Sequence, residues 1–390
     1  MKLCIYGGSF NPPHVGHAAA IRAAQAALPL DEVRVIPAAL PPHKQLAAGS
    51  PEASERLALC ELAFAEMPGV TVSGMELARE GKSYSVETVR ELKAAQPDAE
   101  LYLLIGTDML ATFDEWFSFR EILENVTLLA TAREDQELET VRREAERLTR
   151  DYGAKVIVIE TPPLPLSSTQ IRRLLRERHG SEYLAPKVYA RIVQKRLYEA
   201  KPDLDWLREE SYAFLKPRRI AHVWGCEHEA RRLAERWGED PDDAAEAGIL
   251  HDITKKFDLR EQLILSDKYG IINDTIEKSN LKLLHAKTGA AMARDLFGSP
   301  EPIVDAIRWH TTGRPGMSTL EKILYLADYI EPSREFPGVD ELRELTYRDL
   351  NKAMILGLEM TIEELKRYQE KPHPNTAEAL AWFRAQGGGE

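Results

Sequence analysis

Short apolar runs alternate with amphipathic stretches along the first half of the chain. Strand-like runs occupy residues 33–37, 101–106, 126–130 and 156–159, and each ends in glycine, proline or polar residues. Apolar positions at helical spacing fill the gaps at 18–28, 54–65, 85–95 and 138–152. Because strands and helices alternate, the pattern predicts a parallel sheet with helices on both faces.

The pattern changes near residues 198–203. From Asp205 onward the apolar periodicity is helical and no convincing strand occurs. Helices are predicted at 206–215, 219–237, 242–250, 286–297, 303–309, 320–330 and 350–368. We therefore expect an α/β domain at 1–198, a linker at 199–204 and an all-α domain at 205–390.

Composition and charge exclude several classes of protein. The net charge of -12 argues against general nucleic-acid binding, although phosphorylated small molecules need only local positive groups. Cys4, Cys60 and Cys226 are scattered, so neither disulfides nor a thiolate zinc site is expected. The sequence shows no signal-peptide pattern, and no apolar run approaches the roughly 18 residues of a membrane span. A cytoplasmic protein without membrane association is predicted.

Residues 1–17 predict an anion site. A strand around Leu3 is expected to break at Gly7 and Gly8, and a helix is expected to begin near His14. The free N–H groups and the dipole of a helix N-terminus favour phosphate, and glycine permits close approach of the backbone. His14 and His17 share one face of the first helical turn. The spacing matches neither a Walker A loop nor a GxGxxG motif.

Other polar groups follow strands of the same predicted sheet. Lys44 lies on the loop after the second strand, Asp108 and Trp116 follow the strand that ends at Gly106, and residues 167–172 begin a helix. Each feature alone is more often a helix cap, a solvated lysine or a packed tryptophan. Their shared position instead favours nucleotidyl transfer, in which His14, His17 and Lys44 stabilise the α-phosphate. The groups expected to hold the β- and γ-phosphates are Ser167, Ser168 and Arg172.

The second half contains an unusual pair, His251 and Asp252, at the end of an apolar helix. Asp328 lies inside another apolar helix, where a carboxylate is costly to bury unless it is paired or coordinated. Imidazole and carboxylate ligands without thiolate suit iron, manganese, magnesium or zinc at an open catalytic site. Lys255 lies one turn after His251 and could reach a metal-held phosphate. The remaining candidate ligands are His222, His285 and His310.

Two motifs in the first half resemble those of a known superfamily. Residues 7–17 match GxFxPxHxGH and residues 167–172 match SSTxIR, the signatures of Rossmann-like nucleotidyltransferases. Residues 1–198 resemble bacterial nicotinate-mononucleotide adenylyltransferases, with support from 41–44, 83–88, 106–110, Trp116 and 132–133. The resemblance implies transfer of AMP from ATP to nicotinate mononucleotide, a step of NAD synthesis, with Mg²⁺ on the phosphates.

The same resemblance implies roles for particular residues. Trp116 stacks near the nicotinate ring, Ser85 and the backbone after Gly106 recognise its carboxylate, and Asp108 contacts the nucleotides. Arg133 is a further substrate contact. The implied ATP contacts are Gly7, Gly8, Ser9, Phe10, His14, His17, Ser167, Ser168, Thr169 and Arg172.

The order His222, His251-Asp252, Asp328 resembles the HD-domain metallohydrolase signature. Residues 247–255, 285–289, 309–317 and 325–334 resemble bacterial hydrolases that cut diadenosine tetraphosphate symmetrically into two ADP. This resemblance implies two metal ions bridged by Asp252, with iron as the leading candidate. The implied ligands are His222, His251, Asp252, His285, His310 and Asp328. The implied phosphate or nucleotide contacts are Lys255, Thr311, Arg314 and Arg334.

Two alternatives stay open. The first domain could use a different phosphorylated acceptor, although Trp116 argues against a phosphopantetheine-like one. The second domain could sense nucleotides and regulate the first, or hydrolyse another nucleotide. The expected partners are ATP, nicotinate mononucleotide and diadenosine tetraphosphate, and homo-oligomerisation stays open.

Overall fold

A six-stranded parallel sheet forms the centre of the first half of the protein. The computed structural model describes residues 1–42, 45–79, 81–132, 135–160, 167–272 and 274–387. The strand order is β3-β2-β1-β4-β5-β6, and every neighbouring pair is parallel. The strands are β1 Lys2–Gly8, β2 Glu32–Pro37, β3 Val70–Val72, β4 Glu100–Gly106, β5 Val126–Thr131 and β6 Val156–Ile159.

Helices connect these strands, and helices alone make up the second half in the described residues. The first-half helices are α1 Val15–Ala27, α2 Ala53–Phe64, α3 Ser85–Ala95, α4 Thr107–Ala111, α5 Phe119–Asn125, α6 Asp135–Tyr152, α7 Ser168–Arg176 and α8 Pro186–Gln194. The second-half helices are α9 Leu204–Tyr212, α10 Pro217–Trp237, α11 Pro241–Leu250, α12 Leu259–Lys268, α13 Leu281–Phe297, α14 Glu301–Trp309, α15 Thr319–Ile330, α16 Val339–Arg348, α17 Leu350–Arg367 and α18 Pro374–Gly387. The predicted fold class is confirmed. The chain divides into two compact units, Met1–Lys201 and Pro202–Glu390.

The predicted strand break at Gly7 and Gly8 falls just after Gly8 instead. Strand β1 continues through both glycines, because Gly7 pairs with Ile36 and Gly8 pairs with Pro37 of β2. Strand β3 was not predicted; it has three residues and lies at the edge of the sheet. In the second half, helices α12, α16 and α18 were not predicted either.

The strands are apolar on both faces because helices cover both. Leu101 and Leu103 of β4 pack into one core, whereas Tyr102 and Leu104 pack into the other. The chain reverses its direction of winding between β1 and β4, so a crevice is expected at the carboxyl ends of these two strands. Among the described residues, no helix combines the length and apolarity needed to cross a bilayer.

In the second unit α10 and α11 cross closely at a glycine. A Cβ atom on Gly248 would lie 2.7 Å from Cα and 3.0 Å from the backbone N of Glu227. Backbone cannot yield as a flexible side chain can, so glycine is required at this crossing.

We expect Gly248→Ala to destabilise the second unit by about 1–3 kcal/mol through overpacking. Gly357→Ala is the matched control: its Cβ would lie 3.6 Å from Tyr325, an ordinary contact, and alanine favours a helix. Guanidinium unfolding of the whole chain, followed by tryptophan fluorescence, measures both. This signal reports mainly the second unit, because five of the six tryptophans lie there: Trp206, Trp224, Trp237, Trp309 and Trp382. A wild-type midpoint for Gly248→Ala would contradict the expectation.

Candidate active sites

The first candidate site begins at the N-terminus of α1. His14 is the N-cap residue, and its Nδ1 accepts the Gly16 N–H at 3.1 Å. Nδ1 of His17 accepts the His14 N–H at 3.1 Å. Because both Nδ1 atoms are acceptors, the proton of each neutral ring is on Nε2. The two rings, 3.9 Å apart, therefore each carry an Nε2–H donor, the type of group that stabilises phosphate oxygens.

The segment before His14 forms the floor of this site. Gly7 and Gly8 end β1, and their small size lets a ligand approach the backbone. Phe10 is buried in a left-handed conformation with φ of 43°, and its ring lies 4.9 Å from that of His17. Ser9 connects the strand to this turn.

The two signature motifs contact each other directly. The Ser168 hydroxyl donates to the Pro12 carbonyl at 3.2 Å, 156 residues away in sequence. Arg172 Nη1 donates to the Asn11 carbonyl at 2.8 Å, and its Nη2 donates to Thr169 Oγ1 at 3.0 Å. The start of α7 is thus fastened to the turn before α1.

The N-terminus of α7 is itself capped. The Ser167 hydroxyl accepts the Gln170 N–H at 3.3 Å, and the Gln170 side chain accepts the Ser167 N–H at 2.7 Å. This capping box fixes the first turn of α7. Two capped helix N-termini, those of α1 and α7, therefore meet at one turn, an arrangement suited to a phosphate chain.

Arg56 is a positioning residue that sequence reasoning missed. Its side chain is fully buried on α2 and donates to the Ser9 carbonyl at 2.8 Å and to the Ala39 carbonyl at 3.0 Å. It therefore joins the turn after β1 to the loop after β2. The sequence did contain a signal for this role. Arg56 lies within the apolar face of a predicted helix, where a buried charge requires hydrogen-bonding partners.

The predicted acceptor residues follow the neighbouring strand. Gly106 is the N-cap of α4, and Asp108 is exposed on its first turn. Ser85 is the first residue of α3 and is half-buried. Trp116 is half-buried, and the adjacent Phe117, not predicted, is 55% exposed. Lys44 and Arg133 lie outside the described residues.

The second candidate site is a cluster of six side chains inside the helical unit. His222 comes from α10, His285 from α13 and Asp328 from α15, while the others directly follow α11 or α14. The histidines and Asp252 are less than 10% exposed, and the Asp328 side chain is 18% exposed. The predicted ligands therefore converge: His222, His251, Asp252, His285, His310 and Asp328.

The cluster divides into two groups of three. His222, His251 and Asp328 offer ligand atoms that all lie within 4.8 Å of one another, as do Asp252, His285 and His310. Asp252 Oδ2 lies 3.5 Å from His251 Nε2, and its Oδ1 lies 3.1 Å from His285 Nε2. The two oxygens of one carboxylate thus face different groups, so Asp252 is placed to serve both.

The hydrogen bonds of the histidines test whether metal ions fit. Nδ1 of His251 and of His310 each lies 2.6 Å from a backbone carbonyl, so each Nδ1 carries the proton and each Nε2 presents a lone pair. His251 Nε2 lies 3.3 Å from His222 Nε2, and His310 Nε2 lies 3.1 Å from His285 Nε2. Nδ1 of His222 faces Glu331 and Nδ1 of His285 faces the Leu281 carbonyl, which leaves a lone pair on Nε2 of these rings as well. Lone pairs this close repel unless a cation lies between them, so the geometry fits metal ions.

The protonation states of the cluster are also those that metal binding requires. Burial lowers the pKa of His251, His285 and His310 to about 4, so these rings are neutral at pH 7. Burial alone would raise the pKa of Asp252, but the adjacent imidazole and the Lys255 ammonium hold it well below its ordinary value. Asp252 Oδ1 is buried without a hydrogen-bond partner among the described residues. Neutral imidazoles and ionised carboxylates are the states that bind metal ions.

Basic residues adjoin the cluster. Lys255 Nζ lies 3.0 Å from His285 Nε2 and 3.7 Å from Asp252 Oδ1, and Arg219, which was not predicted, contacts Asp252 Oδ2. Arg334 donates to Asp328 Oδ1 at 2.6 Å.

Two other predicted contacts, Thr311 and Arg314, lie near the end of α14. Arg314 forms a bidentate pair with Glu321 at 2.7 and 3.1 Å. Thr311 follows His310 and is half-buried. Their nucleotide contacts stay predictions.

Glu331 orients a ligand and was not predicted to act at the site. Its buried carboxylate lies 2.9 Å from His222 Nδ1 and accepts the Ser333 N–H at 2.7 Å. A Cβ on Gly225 would lie 2.5 Å from Glu331 Oε2, so the glycine makes room for this carboxylate. A carboxylate behind a ligating histidine fixes its tautomer and raises its basicity.

A third group, Asp274, Glu277 and His373, has a structural explanation. The Lys287 ammonium lies 2.6 Å from Glu277 Oε1 and 2.7 Å from Oε2, and His373 Nε2 lies 3.0 Å from Asp274 Oδ2. Lys287 already supplies the positive charge that a metal ion would supply.

Comparisons with known proteins agree with both sites. The cytidylyltransferase-like family matches residues 5–174, and the HD-domain family matches residues 219–333. The chain is therefore a nucleotidyltransferase joined to an HD-domain hydrolase.

Three known proteins are each similar to about half of the chain. A probable nicotinate-nucleotide adenylyltransferase of Carboxydothermus hydrogenoformans is 36% identical over 50% of this chain and 98% of that protein. The symmetrical bis(5'-nucleosyl)-tetraphosphatase of Bacillus subtilis is 41% identical over 45% of this chain and 97% of that protein. A crystal structure from Clostridium acetobutylicum, described as a predicted HD superfamily hydrolase involved in NAD metabolism, is 37% identical with a TM-score of 0.46 over 48% of this chain and 100% of that chain. The first half belongs to the nicotinate-nucleotide adenylyltransferase family and the second half to an HD-domain family that includes the Bacillus enzyme.

We expect Arg56→Met to weaken ATP binding about ten-fold, because Met fills the volume but leaves the Ser9 and Ala39 carbonyls without their donor. Calorimetric titration with ATP measures the change. Arg34→Met is the control, since Arg34 pairs with Glu32 on β2. Unchanged ATP affinity in a folded Arg56→Met protein would exclude the positioning role.

We expect Glu331→Gln to lower metal affinity about 10- to 100-fold, because the His222 ring loses its anionic partner. Gly225→Ala should act in the same direction by displacing Glu331. Competition between the protein and a fluorescent chelator measures affinity without any assay of activity. Glu227→Gln is the control, because this buried carboxylate pairs with Arg208 instead. Equal affinities for Glu331→Gln and wild type would refute the effect.

Proposed function

We propose that the first unit transfers AMP from ATP to nicotinate mononucleotide, forming deamido-NAD and pyrophosphate. The contact between the two signature motifs is the observation that carries this proposal, because it joins the α7 N-terminus to the turn bearing His14 and His17. The similarity to the Carboxydothermus protein over almost its whole length supports the acceptor.

The residues would act by position and charge. A phosphate oxygen of nicotinate mononucleotide attacks the α-phosphorus in line, and pyrophosphate leaves. The Nε2–H groups of His14 and His17, with Lys44, would stabilise the α-phosphate oxygens. The α7 N-terminus and Arg172 would hold the β- and γ-phosphates, and Mg²⁺ would neutralise part of their charge. The attacking phosphate is already ionised, so no carboxylate base is required.

The acceptor would lie beside the next strand of the sheet. Trp116 would stack on the pyridine ring, while Ser85 and the backbone after Gly106 would bind its carboxylate. Asp108 would contact the nucleotides.

We propose that the second unit hydrolyses diadenosine tetraphosphate symmetrically to two ADP. The six-residue cluster carries this proposal, and the similarity to the Bacillus enzyme supports the substrate. Two metal ions, with iron as the leading candidate, would activate water and neutralise phosphate charge. Asp252 would bridge the two ions, and Lys255 would contact a phosphate oxygen beside them. Glu331 would hold the His222 ring in the ligating tautomer.

Paired variants of the whole chain test both proposals. His17→Ala should lower deamido-NAD formation about 10²- to 10³-fold by removing one charge-stabilising donor, and should leave hydrolysis unchanged. Asp252→Ala should abolish hydrolysis and leave the transferase unchanged. Mass spectrometry identifies the products from ATP with each mononucleotide, and from diadenosine tetraphosphate.

Other outcomes point to the alternatives. Altered transferase kinetics in Asp252→Ala would favour nucleotide sensing by the second unit. Absence of deamido-NAD from the wild-type reaction would refute the proposed acceptor, and absence of ADP would refute the proposed hydrolase substrate.

A further inference from the structure

A basic cleft opens beside the metal-ligand cluster of the second unit. The cavity has a volume of about 420 Å³ and includes His222 in its wall. Five cationic side chains line it: Lys216, Arg218, Arg219, Lys255 and Lys256. None of these except Lys255 had been predicted to contact a substrate.

Three of the five cations are already engaged within the protein. Arg219 pairs with Asp252, Lys255 Nζ lies 3.0 Å from His285 Nε2, and Lys256 Nζ donates to the Ala213 carbonyl at 2.8 Å. By contrast, the exposed Lys216 and Arg218 side chains have no hydrogen-bond or ion-pair partner within the part of the chain that the structure describes. Their positive charge is therefore not neutralised by a carboxylate of the described residues.

The position of Lys216 and Arg218 strengthens the positive electrostatic potential of the cleft. Lys216 occupies the N-cap position of α10, a helix of 21 residues, and Arg218 lies in its first turn, so the positive end of the helix dipole adds to both charges. His222 lies on the next turn of the same helix, and it belongs to both the cleft wall and the ligand cluster. A phosphate held at the metal ions would therefore have the rest of its chain directed toward the cleft.

We propose that Lys216 and Arg218, with Lys255, form a binding subsite for the diphosphate of the leaving nucleotide. The subsite would favour nucleoside polyphosphates with a chain on both sides of the attacked bond over single phosphates. This inference rests on the hydrolysis proposed above. Water supplies an oxygen to the attacked phosphorus, and the bridging oxygen leaves with the bonding electron pair on the second ADP. Two protons pass to solvent, and the cations stabilise the charge that develops on the leaving diphosphate.

The test uses the metal-loaded whole chain carrying Lys216→Ala and Arg218→Ala together. The KM for diadenosine tetraphosphate should rise about ten-fold, and its dependence on salt concentration should weaken, because two exposed cations are lost. The affinity for inorganic tripolyphosphate, measured by calorimetry, should fall similarly, while that for orthophosphate stays unchanged. The control replaces Lys366 and Lys371 with alanine, removing the same charge from exposed sites that line neither the cleft nor the cluster.

The outcomes distinguish a failure of the subsite proposal from a failure of the proposed substrate. Equal KM and equal tripolyphosphate affinity in the double variant and wild type would overturn the subsite, as would failure of wild type to bind tripolyphosphate. A wild-type protein that does not hydrolyse diadenosine tetraphosphate, but loses tripolyphosphate binding in the double variant, would overturn the substrate and support the subsite. Equal weakening by the control variant would show a general charge effect and would also overturn the subsite.

Discussion

The convergence of unprotonated imidazole nitrogens inside the second unit is the constraint on which its structure depends. Three helices and the segments that follow two others deliver ligands into a space where imidazole nitrogens lie 3.1–3.3 Å apart. Such an arrangement opposes folding by itself, because the lone pairs repel and the carboxylates lose water. Backbone carbonyls fix the tautomers of His251 and His310, and Glu331 fixes that of His222. The orientation and tautomer of these three rings are thus set by protein groups, which also raises their basicity as ligands.

The first unit also buries a charged group, and backbone carbonyls rather than metal ions offset the cost. There the buried cation is Arg56, and its partners are the carbonyls of two loops that border the phosphate site. Because each loop leaves the carboxyl end of a different strand, one guanidinium fixes their separation. His14 and His17 then present donors whose direction is set by their own backbone hydrogen bonds. Preorganised donors of this kind need little rearrangement as charge develops on a phosphate.

Much of the fold and part of each site could be predicted from sequence, for physical reasons that particular residues illustrate. The strands with continuous apolar runs were found because helices cover both faces, whereas β3 has only three residues at an edge and carries little pattern. His251, Asp252 and Asp328 stood out because their chemistry conflicts with their apolar surroundings. Glu331, Lys216 and Arg218 carry no such local conflict. Their importance depends on partners or cavities brought near by distant helices, so only the folded chain reveals them.

The two sites share a ligand class but differ in how they handle its charge. The first site offers mainly neutral donors and helix N-termini, which suits a reaction whose pyrophosphate must be released again. The second combines ionised carboxylates with neutral imidazoles, so the negative charge of its carboxylates must be offset by nearby cations for a polyphosphate to bind. Lys255 and Arg219 already contact Asp252, so positive charge surrounds the cluster even before metal binding. In an acidic protein, these local cations rather than the overall charge determine where a phosphate chain can bind.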